Sequence, residues 1–136
     1  MGLLARSRAA ALADAMSRLP QPTGHAWTRP PEVGLVMARG RAGATGAAFN
    51  LGEVSATRCA LRLECGAVGV AYVLGRDKAH AERAALVDAL MQTDRAEEVR
   101  RVVLDPLAAD EAARREARAR KAEATRVEFF TMTRGD

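Results

Sequence analysis

The sequence predicts an α+β fold: a small antiparallel meander of about four strands packed with helices, a long C-terminal helix and an apolar tail, all in one domain over residues 1–136. Three observations carry that expectation. Residues 56–63 alternate, with Cys59, Leu61 and Leu63 on one side and Arg58, Ala60 and Arg62 on the other, as a half-buried antiparallel strand does. At Gly75-Arg-Asp77 the pattern changes to helical spacing over residues 78–92, with Asp77 in the N-cap position. From Asp110 to about Val127 the chain is rich in Ala, Arg and Glu without Gly or Pro, which predicts a helix roughly 25 Å long.

The elements follow in order. Leu4, Ala11, Leu12, Ala15, Met16 and Leu19 recur near helical period, predicting a helix over residues 3–18 that Pro20 and Pro22 stop. Residues 20–31 hold Pro20, Pro22, Pro30 and Pro31 and predict an extended connector anchored by Trp27. The sheet is expected over 33–74: strands at 33–39, 49–54, 56–63 and 67–74, with a glycine turn at 40–46 and a tight turn at Glu64-Cys-Gly66. Helices fill 78–127, at 78–92, at 94–104 ahead of Pro106, and from an Asp110 cap onward. The tail over 127–136 is apolar and β-prone.

Composition limits what such a fold can do. The apolar fraction is 49%, but Ala supplies much of it, beside three Phe, one Trp and one Tyr. Each buried CH2 contributes only about 0.8 kcal/mol, so a thin core that gains from a partner surface is expected. The net charge is +4, nearly all of the cations are Arg, and Lys occurs only at 78 and 121. That balance favours anionic partners without choosing among phosphorylated small molecules, nucleic acid and an acidic protein face. Aromatics at 4% are too few for a base-stacking platform, so nucleic acid is an unlikely partner. Arg6, Arg8, Asp14 and Arg18 interrupt the N-terminal segment, which therefore lacks a secretory h-region, and no apolar run approaches the ~20 residues of a membrane span. With Cys59 and Cys65 its only cysteines, the chain is expected in the reducing cytoplasm.

The sharpest chemical signal is Leu74-Gly-Arg-Asp-Lys-Ala-His-Ala-Glu-Arg83, where a strand ends, Gly75 turns and a helix begins. Free N–H groups and the positive helix end favour anions there. Arg76, Lys78, His80 and Arg83 are the candidate contacts to a substrate or partner anion, and His80 is a weak catalytic candidate because imidazoles in general can transfer a proton. A capped, solvated helix end explains the same residues. His80-Ala81-Glu82 copies the H-x-E half of zinc deaminases, but both cysteines lie upstream and the downstream thiolate pair is missing, so no metal is expected. The glycines at 40, 43 and 46 precede a strand rather than a helix and predict a hairpin, not a dinucleotide cradle. Ser7, Ser17 and Ser55 lack nucleophile-elbow surroundings, and Arg134-Gly-Asp136 is a chance copy of an adhesion tripeptide.

Gly75-Arg-Asp-Lys-Ala-His-Ala-Glu-Arg83, continuing through Ala85-Leu-Val-Asp-Ala-Leu-Met-Gln92, resembles the PhnG subunit family of the bacterial carbon–phosphorus lyase core complex. Thr125-Arg-Val-Glu-Phe-Phe-Thr-Met-Thr-Arg-Gly-Asp136 resembles that family's C-terminus, and Gly43-Ala-Thr-Gly46 and Thr57-Arg58 match its pattern. The likeness covers roughly residues 33–136. It implies a subunit that, with PhnI-, PhnH- and PhnL-type proteins, supports displacement of adenine from ATP by methylphosphonate to give ribose 1-methylphosphonate 5-triphosphate. A PhnJ-type subunit with an iron–sulfur cluster and S-adenosylmethionine then breaks the carbon–phosphorus bond. ATP is implied as a substrate of the complex, with no cofactor bound by this chain alone.

The residues add a constraint. The chain lacks a paired base and nucleophile, a metal set and a nucleotide loop, so it is expected to be inactive alone and to complete a site built largely by a PhnI-like partner. A purely structural subunit is the alternative, with an independent nucleic-acid module behind it. Phe129, Phe130 and Met132 at the chain end, with Arg134 at the rim, are the expected partner-docking residues.

Overall fold

The computed structural model describes residues 1–20, 22 and 24–126, apart from the side chain of Ala44. It is α+β. Two short helices, α1 (Gly2–Arg6) and α2 (Ala9–Ser17), lead into β1 (His25–Arg41). A single turn at Ala42–Ala44 returns the chain along β2 (Ala48–Leu63), and β3 (Val68–Leu74) follows. Then come α3 (Lys78–Leu90), α4 (Ala96–Val99), a π turn at Arg100–Leu104 and α5 (Asp105–Ala124).

The sheet has three strands in the order β1-β2-β3, all antiparallel, rather than four. The segments expected as separate strands at 49–54 and 56–63 are one strand. Gly52, at φ 153°, lets the chain bulge there, and the register with β1 shifts between Ala38 and Arg39 without ending the ladder. The expected connector at 20–31 is strand from His25 onward. Pro30 and Pro31 are tolerated because β1 is an edge strand and its register shifts between Arg29 and Glu32, so their missing donors break no central ladder.

The helix expected at 3–18 is broken at Ser7, whose hydroxyl donates to the Leu4 carbonyl at 2.8 Å. At the other end, Asp110 caps nothing. Helical backbone runs from Ala96 to Ala124 through the π turn, in which the Asp105 N–H bonds to the Arg100 carbonyl. Pro106 sits in the first turn of α5, where its missing N–H costs little. The predicted tail over 127–136 lies outside the described residues.

The core is one cluster. Cys59, Leu61 and Leu63 of β2 and Ala71 and Val73 of β3 form its floor. Ala81, Ala84, Ala85, Val87 and Leu90 of α3 lie over them, and Leu4, Leu12 and Met16 pack on the far side of α3. Helix α3 is thus sandwiched, which is why its apolar residues encircle it. Alanine brings it very close to the sheet: a Cβ on Gly69 would lie 1.9 Å from the Ala85 carbonyl oxygen. Only a glycine fits beneath that turn. The free edge of β3 is partly guarded from the same helix, because Asp88 accepts from the Val70 N–H at 3.1 Å and Gln92 donates to the Val68 carbonyl at 2.7 Å.

Beyond the core, two elements project. Strand β3 pairs only with residues 56–62 of β2, so the outer parts of β1 and β2 continue as a two-stranded arm. Helix α5 buries only Leu107, and its later turns are stabilised by ion pairs one turn apart, such as Glu116 with Arg120 at 2.6 Å.

Candidate functional site

The strand-to-helix junction forms as the sequence predicts. Gly75, at φ 95°, takes a left-handed turn that suits glycine, and its N–H bonds to the Ser55 carbonyl at 2.8 Å. The buried Thr57 hydroxyl donates to the Gly75 carbonyl, also at 2.8 Å, fixing the turn from below. Asp77 caps α3: its carboxylate accepts from the His80 N–H at 2.8 Å.

The four candidate side chains part company at this point. Arg76 and Lys78 are exposed and form no ion pair among the described residues. Arg83 is half-buried one turn further along, where it helps line a shallow cleft of about 350 Å3 between α2 and α3 with Ala13, Met16, Ser17, Ala79, Glu82 and Leu86. Beside Glu82, that cleft is balanced in charge rather than cationic. His80 turns the other way. Its ring is buried, and Nε2 lies 2.9 Å from the Leu4 carbonyl oxygen. A carbonyl only accepts, so Nε2 carries the proton and donates it. The imidazole is engaged in tying α1 to α3.

Sequence reasoning missed that bond, whose partners are 76 positions apart, and nothing local to His80 signals it. It also missed His25, whose Nε2 lies 3.7 Å from the Glu82 carboxylate while its ring meets Trp27 edge-on at 4.7 Å. Glu82, the last residue of the His80-Ala81-Glu82 triplet, thus bridges helix and sheet.

Of the two cysteines, the buried one is unsuited to nucleophilic catalysis. Burial pushes the Cys59 thiol up to about 11, with the Glu82 charge adding to the effect, so it stays protonated at neutral pH. Cys65 is exposed and free. Among the described residues, no group of three or more His, Cys, Asp and Glu side chains could hold a metal ion, and no helix is long and apolar enough to cross a membrane.

The junction therefore offers cations at the rim of an open surface, with no cradle to enclose a ligand. An anion held there needs a second surface to exclude water from the other side.

The family model for phosphonate metabolism protein PhnG matches residues 1–135. The α-D-ribose 1-methylphosphonate 5-triphosphate synthase subunit PhnG of Rhizobium meliloti (strain 1021) is 44% identical over 140 residues, spanning 100% of this chain and 87% of the relative.

Proposed function

This chain belongs to the PhnG family of phosphonate metabolism, and from that membership we propose that it is a subunit of an α-D-ribose 1-methylphosphonate 5-triphosphate synthase in the cytoplasm. The full-length likeness to a named synthase subunit is the observation that carries the proposal. In this reading the complex joins a methylphosphonate oxygen to the anomeric carbon of ATP as the bond to adenine breaks. ATP is a substrate of the assembly, not a cofactor of this chain. PhnI-, PhnH- and PhnJ-type subunits and a PhnL-type ATPase-like protein are its companions. Phe129, Phe130, Met132 and Arg134 belong to the docking tail of the same proposal.

The chemistry explains why a cationic helper is useful. Both reactants are anions, and bringing them together costs Coulomb energy that positive groups offset. Arg76 and Lys78 are the exposed cations beside the capped end of α3, with Arg83 behind them. Enclosed by a partner surface, each contact to a phosphonate or phosphate oxygen contributes about 1.5–3 kcal/mol. In this reading His80 has a structural part, because its ring already holds α1. That engagement also supports a second reading, a purely structural subunit without substrate contact.

Reconstitution separates the two. Adenine release from ATP and methylphosphonate is measured with the complete set of subunits, with this chain omitted, and with Arg76→Ala or Lys78→Ala in its place. The synthase reading predicts loss of release on omission, and a fall of roughly 10- to 100-fold for each variant in fully assembled complex. Full release without the chain contradicts it. Dependence on the chain with normal activity in both variants leaves the structural reading.

A further inference from the structure

From the reach of β3, the arm is defined by what does not cover it. Residues 35–41 pair with 48–55 past Ala56, the last β2 residue that pairs with β3, a ribbon on the order of 25 Å long. A two-stranded hairpin is marginal in water unless something packs on it. Here large apolar side chains stand bare on both faces, although Leu35 and Met37 pair across the ladder with the polar Ser55 and Glu53. Leu35 and Met37 lie on one face of β1, 61% and 50% exposed, while Val36 on the opposite face pairs directly with Val54, itself 40% exposed. Leu51 lies over Gly40 and is 64% exposed, and Phe49 near the tip is also bare. Exposed apolar side chains gathered in this way mark an interaction site.

Charge selects the occupant. Arg39 and Arg41 stand near the tip, and Glu53 is the one carboxylate in residues 33–56. At the root are Arg29, Arg58 and Arg62, and the carboxylate there, Glu32, is already engaged by Arg58 at 2.6 Å and Arg29 at 3.6 Å. A second copy laid along the arm in either direction therefore sets arginine against arginine. We infer that the arm inserts into a groove of another synthase subunit, one whose apolar walls take Leu35 and Met37 on one face and Val36 and Leu51 on the other, with an acidic rim that meets Arg39 and Arg41. Both apolar faces are then covered at once, which a flat partner surface does not achieve. The inference rests on the subunit reading above and adds the surface through which the chain joins the assembly.

The test co-expresses the full chain, tagged, with the other synthase subunits and measures how much of each is retained and in what ratio. One variant carries Leu35→Asp with Met37→Asp. A second, Arg39→Glu with Arg41→Glu, reverses exposed tip charges far from the core and gives up one tip contact, the bond from Arg41 to the Gly46 carbonyl. The apolar variant is expected to weaken retention by about 30-fold or more, as removal of a central apolar anchor does. The charge variant is expected to weaken it less, with the difference shrinking in high salt. Wild-type assembly with undiminished assembly of both variants overturns the arm while leaving the subunit reading intact. Failure of the wild-type chain to assemble overturns both. A wild-type chain that sediments alone as a dimer, and variants that sediment as monomers, overturn the choice of partner.

Discussion

The two halves of the β1–β2 ladder have similar backbone pairing and opposite surroundings. In the half over residues 57–63, Cys59, Leu61 and Leu63 are buried beneath α3, and even the free edge of β3 is partly capped by Asp88 and Gln92. In the half over residues 35–55, Leu35, Met37, Phe49 and Leu51 stand in water. The β1–β2 ladder runs through both, but β3 and α3 cover only the first, so the difference is one of burial and of a missing third strand. The comparison teaches that this chain folds around its first half and keeps the second for another surface. The later turns of α5, with an uncovered Ala-rich face, follow the same pattern.

The largest expected contrast is between two glycines. At Gly69 an added methyl would sit 1.9 Å from the Ala85 carbonyl oxygen and 2.7 Å from the Ala89 nitrogen, both backbone atoms that cannot step aside. Gly69→Ala is expected to lift α3 from the sheet and cost about 3 kcal/mol or more in urea unfolding. At Gly34, where the arm begins, a Cβ meets nothing within 4 Å. Gly34→Ala is expected to change stability by no more than about 0.5 kcal/mol. Similar losses at both positions would show that the arm is packed after all.

A smaller effect is expected at His80. Removing its ring in His80→Ala leaves the Leu4 carbonyl without its donor and frees α1, costing about 1–3 kcal/mol and exposing the Ser7–Arg8 break to proteases. The readouts are urea unfolding and limited proteolysis. In assembled complex, a variant that folds should retain adenine release, since the ring holds α1 rather than substrate.

Smallest is an acid effect confined to the helical side. Arg6 bonds to Glu111 at 2.8 Å and holds its carboxyl below the ordinary value. A carboxyl lowered by folding stabilises the native state above its unfolded pKa, and that contribution fades as pH falls through the folded one. The pair is solvent-accessible, so the effect should be modest and sensitive to salt. Acid should therefore loosen α1 from α5 before it touches the sheet, and Arg6→Ala should abolish the difference. Tryptophan fluorescence from Trp27 reports the sheet independently.

Much of this was legible in the residues. The alternation at 59–63 and the Asp77 cap fixed the central strand and α3, because both signals are local and chemically specific. Prolines misled where an edge strand tolerates them, at Pro30 and Pro31, and the break expected between 49–54 and 56–63 is absent because one strand runs through a bulge near Gly52. At the candidate site, the exposed positions of Arg76 and Lys78 followed from the turn and cap. The inward course of His80 did not, because its partner is a backbone carbonyl contributed by a distant helix. The arm was hidden for a related reason: apolar alternation predicts a strand, but only the short reach of β3 shows that no other described element covers it.

Native-state hydrogen exchange, measured on the chain alone and in the assembled synthase, tests the central claim directly. Amides that bond across β2 and β3 between residues 57 and 73 should exchange slowly in both samples, since α3 shields them in either state. Paired amides in residues 35–41 and 48–55 should exchange fast in the chain alone and slow by at least about tenfold on assembly. Arm amides as slow as the core in the isolated chain, or as fast in the complex as out of it, would contradict the account.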